Sequence, residues 1–279
     1  MTWPSFQHEA MATFCEVTIS GREAEYARQA AAAAFRELDR LETELSLFIE
    51  SSDIARANRL AGGESIVVGD DALQCLALAA GVAEATGRAF DPAYASEPDP
   101  AQPAGAALFT LDPDSHLLTS RSRRLQLDLG AVGKGYALDR MAEVLTEWGV
   151  ESACLNIGGS TALALDPPPG EQGWIVGLGE DERRREFPLV RAALRGSGVA
   201  VKGAHLLDPR TGRPAARTSR VWALAADAAL ADALSTAFFV MSDSEVAAFI
   251  SAHPGLGAAV TGPAGRLSFH GTLAPVAAG

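Results

Sequence analysis

The sequence predicts an α+β fold. Helix-like and strand-like segments are mixed along the chain without the strict βαβ alternation that builds a doubly wound parallel sheet. No internal repeat is present, so a solenoid or propeller is not expected. With 279 residues, 48% of them hydrophobic and 21% charged, the chain can bury a large core.

The elements follow in order. MATFCEVTI (11–19) alternates as a strand does, and the length permits one large domain or two small ones. Residues 22–48 predict an Ala-rich helix with acids and arginines on its polar face. ESIVVGD predicts a short strand, after which Asp70 caps a helix running to about Thr86. The stretch FDPAYASEPDPAQPAGAA is rich in Pro, Ala and Asp, and its part 92–107 is the clearest irregular segment, a lid or linker. LFTLDPDSHLLTS predicts a hairpin turning at Asp112-Pro113-Asp114, and RLQLDL a strand.

Lys134 to Trp148 has helical periodicity, with Ala137, Met141, Val144 and Leu145 on one face, and Gly149 stops it. SACLNI, TALAL, GWIVGL, REFPLV and GVAVKG predict short strands. HLLDPRTGRPAA is a loop. VWALAA predicts a strand, and ALADALSTAFFVM a nearly all-apolar, buried helix. SEVAAFISAH predicts a last helix, and GAAVTG and RLSFHG two closing strands.

Charge and cysteine usage narrow the function. A net charge of -12 argues against nucleic acid or an anionic membrane surface as the main partner. The basic run Arg183-Arg184-Arg185 lies among acids and reads as a solvated turn. Cys15, Cys75 and Cys154 are far apart, odd in number and set in apolar stretches. They predict buried free thiols and a reducing compartment. No leader, lipidation cysteine or membrane span is visible, so a cytoplasmic location is expected.

Four stretches carry polar chemistry. LDLGAVGKGYALDR (127–140) has glycines around Lys134, but its spacing fits neither a P-loop nor a dinucleotide fingerprint. It reads either as a tight strand-to-helix turn or as a loop whose bare N–H groups and lysine face an anion. In ADALST, Asp232 and Thr236 share one face of an apolar helix at i and i+4, with Ser235 beside them. Hard oxygens there invite Mg²⁺. The alternative is an aspartate at the helix start facing solvent, with the threonine bonding back to a carbonyl. In HLLDPRTGRP, His205 has the chemistry of a proton acceptor for a hydroxyl, or is a surface residue of a turn. NIGGS (156–160) permits close backbone approach to a ligand, or is a bulge between strands.

Taken in order, D-L-G-A-V-G-K-G-Y-A-L-D, N-I-G-G, H-L-L-D-P-R-T-G-R-P and A-D-A-L-S-T resemble the ApbE family of FAD:protein FMN transferases. M-A-T (11–13), SDIARANR (52–59) and F-D-P (90–92) are similar to three further family segments. The resemblance runs from about Met11 to Phe249 and implies an N-terminal extension over 1–10 and a single domain over 11–279. It implies an α+β fold of mixed sheets with flanking helices and a ligand cleft between two halves. It also implies a Mg²⁺-dependent transfer of FMN from FAD onto a Thr or Ser hydroxyl of a target flavoprotein, with release of AMP. Some members instead hydrolyse FAD to FMN and AMP, and a non-catalytic flavin- or nucleotide-binding relative is the third possibility.

By matched position, Asp232, Thr236 and the carbonyl of Ala131 would hold the metal, with Ser235 adjacent. Met11, Asp128, Lys134 and the backbone of Leu207 would touch FAD. Thr13, Asp91, Asn156, Gly158 and Gly159, in the same matched motifs, would also bind the cofactor. His205 would deprotonate the incoming hydroxyl, and Asp208 would orient it or the loop. The sequence departs from the family in three places. No aromatic follows Tyr94 within ASEPDPAQPAGAA, no tyrosine stands in GSGVAVKGAHLL, and Ser160 replaces an acid or amide after N-I-G-G.

Overall fold

In a computed structural model, residues 3–103, 105–178, 185–198, 207–215, 220–262 and 265–273 are described. The first half contains β1 (Ser5–Ala10), β2 (Thr13–Ser20), α1 (Ala24–Leu45), α2 (Asp53–Ala57), β3 (Ser65–Val67), α3 (Asp70–Ala85), β4 (Glu97–Pro98), β5 (Phe109–Asp112), β6 (Leu117–Ser120) and β7 (Ser122–Arg124). Then follow α4 (Gly133–Glu147), β8 (Ser152–Ile157), β9 (Thr161–Ala164), β10 (Trp174–Leu178), β11 (Arg185–Leu189), β12 (Ala192–Ser197), β13 (Leu207–Asp208) and β14 (Arg213–Pro214). The chain continues with β15 (Val221–Ala225), α5 (Ala228–Val240), α6 (Asp243–Ala252), β16 (Gly257–Thr261) and β17 (Leu267–Gly271).

Eight of these strands form one antiparallel sheet in the order β1-β2-β8-β9-β12-β15-β16-β17. Period-two alternation gives it two faces. Cys15, Val17 and Ile19 of β2, with Ala153, Leu155 and Ile157 of β8, enter a large core shared with the helices. Behind that face α1 packs on α4, α4 on α5, and α5 on β12 and β15. On the other face the β10–β11 hairpin brings Trp174, Leu178 and Leu189 against Trp222 and Leu224. The sheet and the helix layer together are the α+β architecture expected. Among the described residues no helix is long and apolar enough to cross a membrane, and the three cysteines are free.

Several expectations need correction. Within the expected N-terminal extension, Ser5–Ala10 forms a strand that pairs along β2 as the first strand of the sheet. Asp70 does not cap α3; Gly69 is the N-cap, and the Asp53 carboxylate accepts its N–H at 2.6 Å. Beyond Arg124, which ends β7, RLQLDL is not a strand: Gln126 and Leu127 bond side chains, and the Asp128 N–H donates to the Pro92 carbonyl at 2.8 Å. Asn58 brackets Leu127, accepting its N–H at 2.6 Å and donating to its carbonyl at 2.9 Å, while Ser96 Oγ accepts from the Gln126 N–H. The central strand β12, AALRGS, was not foreseen, because an arginine interrupts its apolar run. GVAVKG lies outside the described residues except for Gly198. Of the basic run only Arg185 is described; it opens β11 and lies over the Phe269 ring.

Candidate active site

Helix α5 sets the problem that the site solves. Eleven of its 13 residues are buried, so Asp232, Ser235 and Thr236 cannot turn to water and must find partners inside. Asp232 is fully buried, which excludes the solvent-facing reading. The partners come from α4 and β12. Gly135 lets the two helices touch: a Cβ there would lie 2.2 Å from the Ala228 carbonyl oxygen. At that contact the Gly135 N–H donates to Asp232 Oδ2 at 3.2 Å. One turn on, the Asp139 carboxylate accepts the N–H groups of Ala228 and Ala229 at 2.7 and 2.8 Å. A residue of α4 therefore caps α5, whose own N-cap, Asp227, makes no side-chain cap bond.

Burial pushes the Asp139 carboxyl up to about 7, against the two N–H donors that lower it. The unfolded chain loses this proton in the ordinary carboxylate range, so the folded chain binds more protons between about 4 and 7. Stability from this group is therefore present at low pH and lost as pH rises towards 7. In Asp139→Asn, the fall in urea-unfolding free energy between pH 5 and pH 8 should be smaller than in the wild type. One cap bond is also lost, at about 0.5–2 kcal/mol. An unchanged pH slope would count against this assignment.

Arg195, at the centre of β12, is 1% exposed, and its Nε lies 2.9 Å from Asp232 Oδ1. Its Nη1 donates to Ser160 Oγ and, at 3.0 Å, to Thr161 Oγ1. Arg195 Nε and Asp232 Oδ1 are both buried, yet neither makes a hydrogen bond. They meet as charges, out of alignment. The Ser235 hydroxyl bonds to Ser197 Oγ at 2.8 Å and to the Asp232 carbonyl at 2.9 Å, so it ties α5 to β12. Thr236 Oγ1 reaches the same carbonyl only weakly, at 3.4 Å.

Thr236 opens onto a cavity of about 370 Å³ lined by Phe90, Asp91, Tyr94, Asp128, Ala131 and Leu207, among others. Thus Asp91, Asp128, Ala131, Leu207 and Thr236, drawn from four separated stretches, share one wall. Asp232, one turn before Thr236 on α5, is not part of the lining. Asp91 is held by Arg88 at 2.6 Å and accepts the Ala93 N–H. Asp128 accepts the Gly130 N–H at 2.7 Å. Its charge and burial raise the Tyr94 phenol above its usual range, burial being the larger cause.

The reading of a loop with bare N–H groups is corrected in part. The N–H groups of Gly130, Val132, Gly133 and Gly135 are already used, by Asp128, Leu129 and Asp232. Lys134 Nζ donates to the Gly130 carbonyl at 3.1 Å, so the lysine first braces its own loop.

NIGG runs from the end of β8 into the turn before β9. Gly158 and Gly159 both have φ of +62°, a region that favours glycine. Gly158 donates to the Phe14 carbonyl, and Gly159 to Asn156 Oδ1. A Cβ on Gly158 would meet Thr13, so this turn lies against the β1–β2 turn. There Met11 and Ala12 have φ of 51° and 55°, backbone strain held at a position that also matches a family motif. Asn156 and Gly159 do not line the Asp128–Thr236 cavity. They line a second one of about 380 Å³, on the face covered by β10. His205 lies outside the described residues. Asp208 has both carboxylate oxygens on Arg210, which also bonds Glu245 at 2.8 Å; this orders the turn before β14.

The model of the ApbE family matches residues 11–260. The chain belongs to the ApbE family. It is 28% identical over 293 residues to the FAD:protein FMN transferase of Treponema pallidum (strain Nichols), covering 88% of this chain and 81% of that protein. The fold is similar to that of the flavin transferase ApbE from Vibrio cholerae, with a TM-score of 0.81 at 19% identity over 97% of this chain and 98% of that one. It is also similar to the ApbE protein from Thermotoga maritima, with a TM-score of 0.79 at 23% identity over 96% and 97%.

Within this ApbE chain, sequence reasoning missed Arg195, Asp139, Phe90 and Tyr94. An arginine inside an apolar strand was the available signal for Arg195, since a buried guanidinium requires a buried acid. Asp139 carried no such signal; it closes a motif whose helix gives no hint that its target is another helix.

Proposed function

We propose that this chain transfers FMN from FAD onto a Thr or Ser hydroxyl of a target flavoprotein, releasing AMP. One observation carries the reading: a single cavity collects Asp91, Asp128, Ala131, Leu207 and Thr236 in a chain of the ApbE family. Phe90, Tyr94 and Leu207 offer apolar wall to a flat ring system, and the named transferase of Treponema pallidum supports FAD as the ligand. The lining carboxylates Asp91 and Asp128 do not attract a pyrophosphate, so its counter-charge is proposed to come from Lys134, which is bonded to Gly130 of the lining. His205 is the proposed acceptor of the hydroxyl proton, an effect worth about 10²–10⁴-fold. The pairing of Asp208 with Arg210 supports a part in shaping that turn.

Mg²⁺ is proposed from the matched family positions: the Thr236 hydroxyl and Ala131 carbonyl are hard oxygens at the cavity. Asp232 Oδ1, however, is ion-paired with Arg195 Nε at 2.9 Å, so this donor set as it stands does not fit a divalent cation. The free cysteines support a reducing compartment such as the cytoplasm.

The test incubates the purified chain with FAD, Mg²⁺ and an acceptor flavoprotein stripped of its covalent flavin. The expected result is acceptor carrying one FMN by mass, with AMP released in equal amount. FMN and AMP appearing without modified acceptor would identify a hydrolase instead, and bound FAD without turnover a binding protein.

A further inference from the structure

The cavity proposed for FAD is lined by two carboxylates, Asp91 and Asp128, and by no cation among the described residues. An anionic ligand entering it meets two like charges unless something cancels them. Arg88 cancels one. Its Nη1 lies 2.6 Å from Asp91 Oδ2, and the Asp91 side chain is only 8% exposed. The other carboxylate oxygen accepts the Ala93 N–H at 2.8 Å. Arg88 does not line the FAD cavity. It lines a separate cavity of about 560 Å³ that shares Asp91 with the first and is closed by Gly105, Leu108 and Phe109, among others. There its Nη2 donates to the Gly105 and Ala106 carbonyls at 3.4 and 3.3 Å. The guanidinium thus reaches Asp91 from the side away from the ligand.

Arg88 holds this place at a backbone cost. Its φ is +62°, in the left-handed region that glycine enters freely and arginine does not. Glycine would suit the backbone better, so the arginine side chain is what the position gains. That side chain meets Asp91. The same turn carries Phe90 and Tyr94 into the FAD cavity, and the Asp128 N–H bonds its Pro92 carbonyl at 2.8 Å.

We propose that Arg88 is a positioning residue that lets this cavity accept a phosphorylated flavin: acting through Asp91, it removes one of the two negative charges the ligand would face. The identity of the ligand rests on the transferase reading. The effect of Arg88 follows the charge of the flavin rather than its ring, so it separates FAD from riboflavin, which has the same ring and no phosphate.

The experiment titrates the full chain with FAD and with riboflavin by isothermal titration calorimetry in one buffer. Arg88→Gln keeps a long polar side chain and removes the charge. It should bind FAD about tenfold less tightly than the wild type and riboflavin within about twofold. Arg88→Lys keeps the charge and should bind FAD within about threefold of the wild type. Arg88→Gly relieves the left-handed strain, so it should melt no lower than R88Q, yet lose FAD affinity to the same extent.

Equal FAD affinity in wild type and R88Q overturns the proposal. So does a parallel loss of FAD and riboflavin, which would mark Arg88 as a tether of the turn, or R88K behaving like R88Q. Riboflavin left unbound by the wild type also counts against it, because the ring wall would then contribute nothing. If R88Q does not fold, R88G decides; a fold that survives neither substitution makes Arg88 structural and refutes the proposal. A wild type that binds no FAD refutes the transferase reading and this role together. A wild type that binds FAD, with all variants alike, refutes this role alone.

Discussion

Asp232→Ala is expected to cost about 3–5 kcal/mol of stability, besides abolishing flavin transfer. The loss follows from what remains. Arg195 would keep a charge at 1% exposure, with two hydroxyls as partners and no anion. The Gly135 N–H would also lose its acceptor at the α4–α5 contact. An exposed metal-binding aspartate would behave differently, losing activity with little change in melting. Urea unfolding of Asp232→Ala, Arg195→Met and the double variant separates the two cases. The double variant should recover much of the loss, since replacing both members of a buried pair with apolar groups is often neutral or better. Additive losses would show that the pair is not the cause.

Gly135→Ala should be the most damaging glycine substitution in the loop, at about 3 kcal/mol, the upper end for overpacking. Ala is worth up to about 1 kcal/mol over Gly inside a helix. That gain is outweighed, because the new Cβ would lie 2.2 Å from the Ala228 carbonyl oxygen and 2.7 Å from the Ala229 nitrogen. These are backbone atoms at a helix start and cannot rotate away. Helices α4 and α5 would have to part, drawing the Gly135 N–H off Asp232 and Asp139 off its two N–H groups. By contrast, the Cβ of a Gly133→Ala variant meets only Leu129 Cβ, at 3.5 Å, an ordinary contact. Thermal melts of the two variants should rank them clearly. Similar melting would refute the close-approach argument.

Much of the site was legible because its residues sit in short local patterns. Asp232 and Thr236 announced themselves as polar groups on an apolar helix. Asp91 and Leu207 stood in turn sequences that favour irregular backbone, and Asp128 at the end of a predicted strand running into a glycine-rich loop. Local pattern does not report which face of an element meets which partner. Asn156 and Gly159 belong to a recognisable motif but line a cavity other than the one holding Asp128 and Thr236. The glycines of LDLGAVGKGY looked like an anion-binding loop. One of them is there for helix packing, and the loop's own residues take up most of its N–H groups.

The sequence by itself determined the α+β class, the buried helix α5 and the membership of each motif, because these follow from periodicity and turn chemistry over a few residues. Only the tertiary structure decided that Arg195 neutralises Asp232 and that Asp139 of α4 caps α5. Those pairings join positions 37 and about 90 residues apart in the chain. Burial makes them obligatory: a charge or an N–H removed from water must be met by whatever group the fold brings to it, wherever that group lies in the chain.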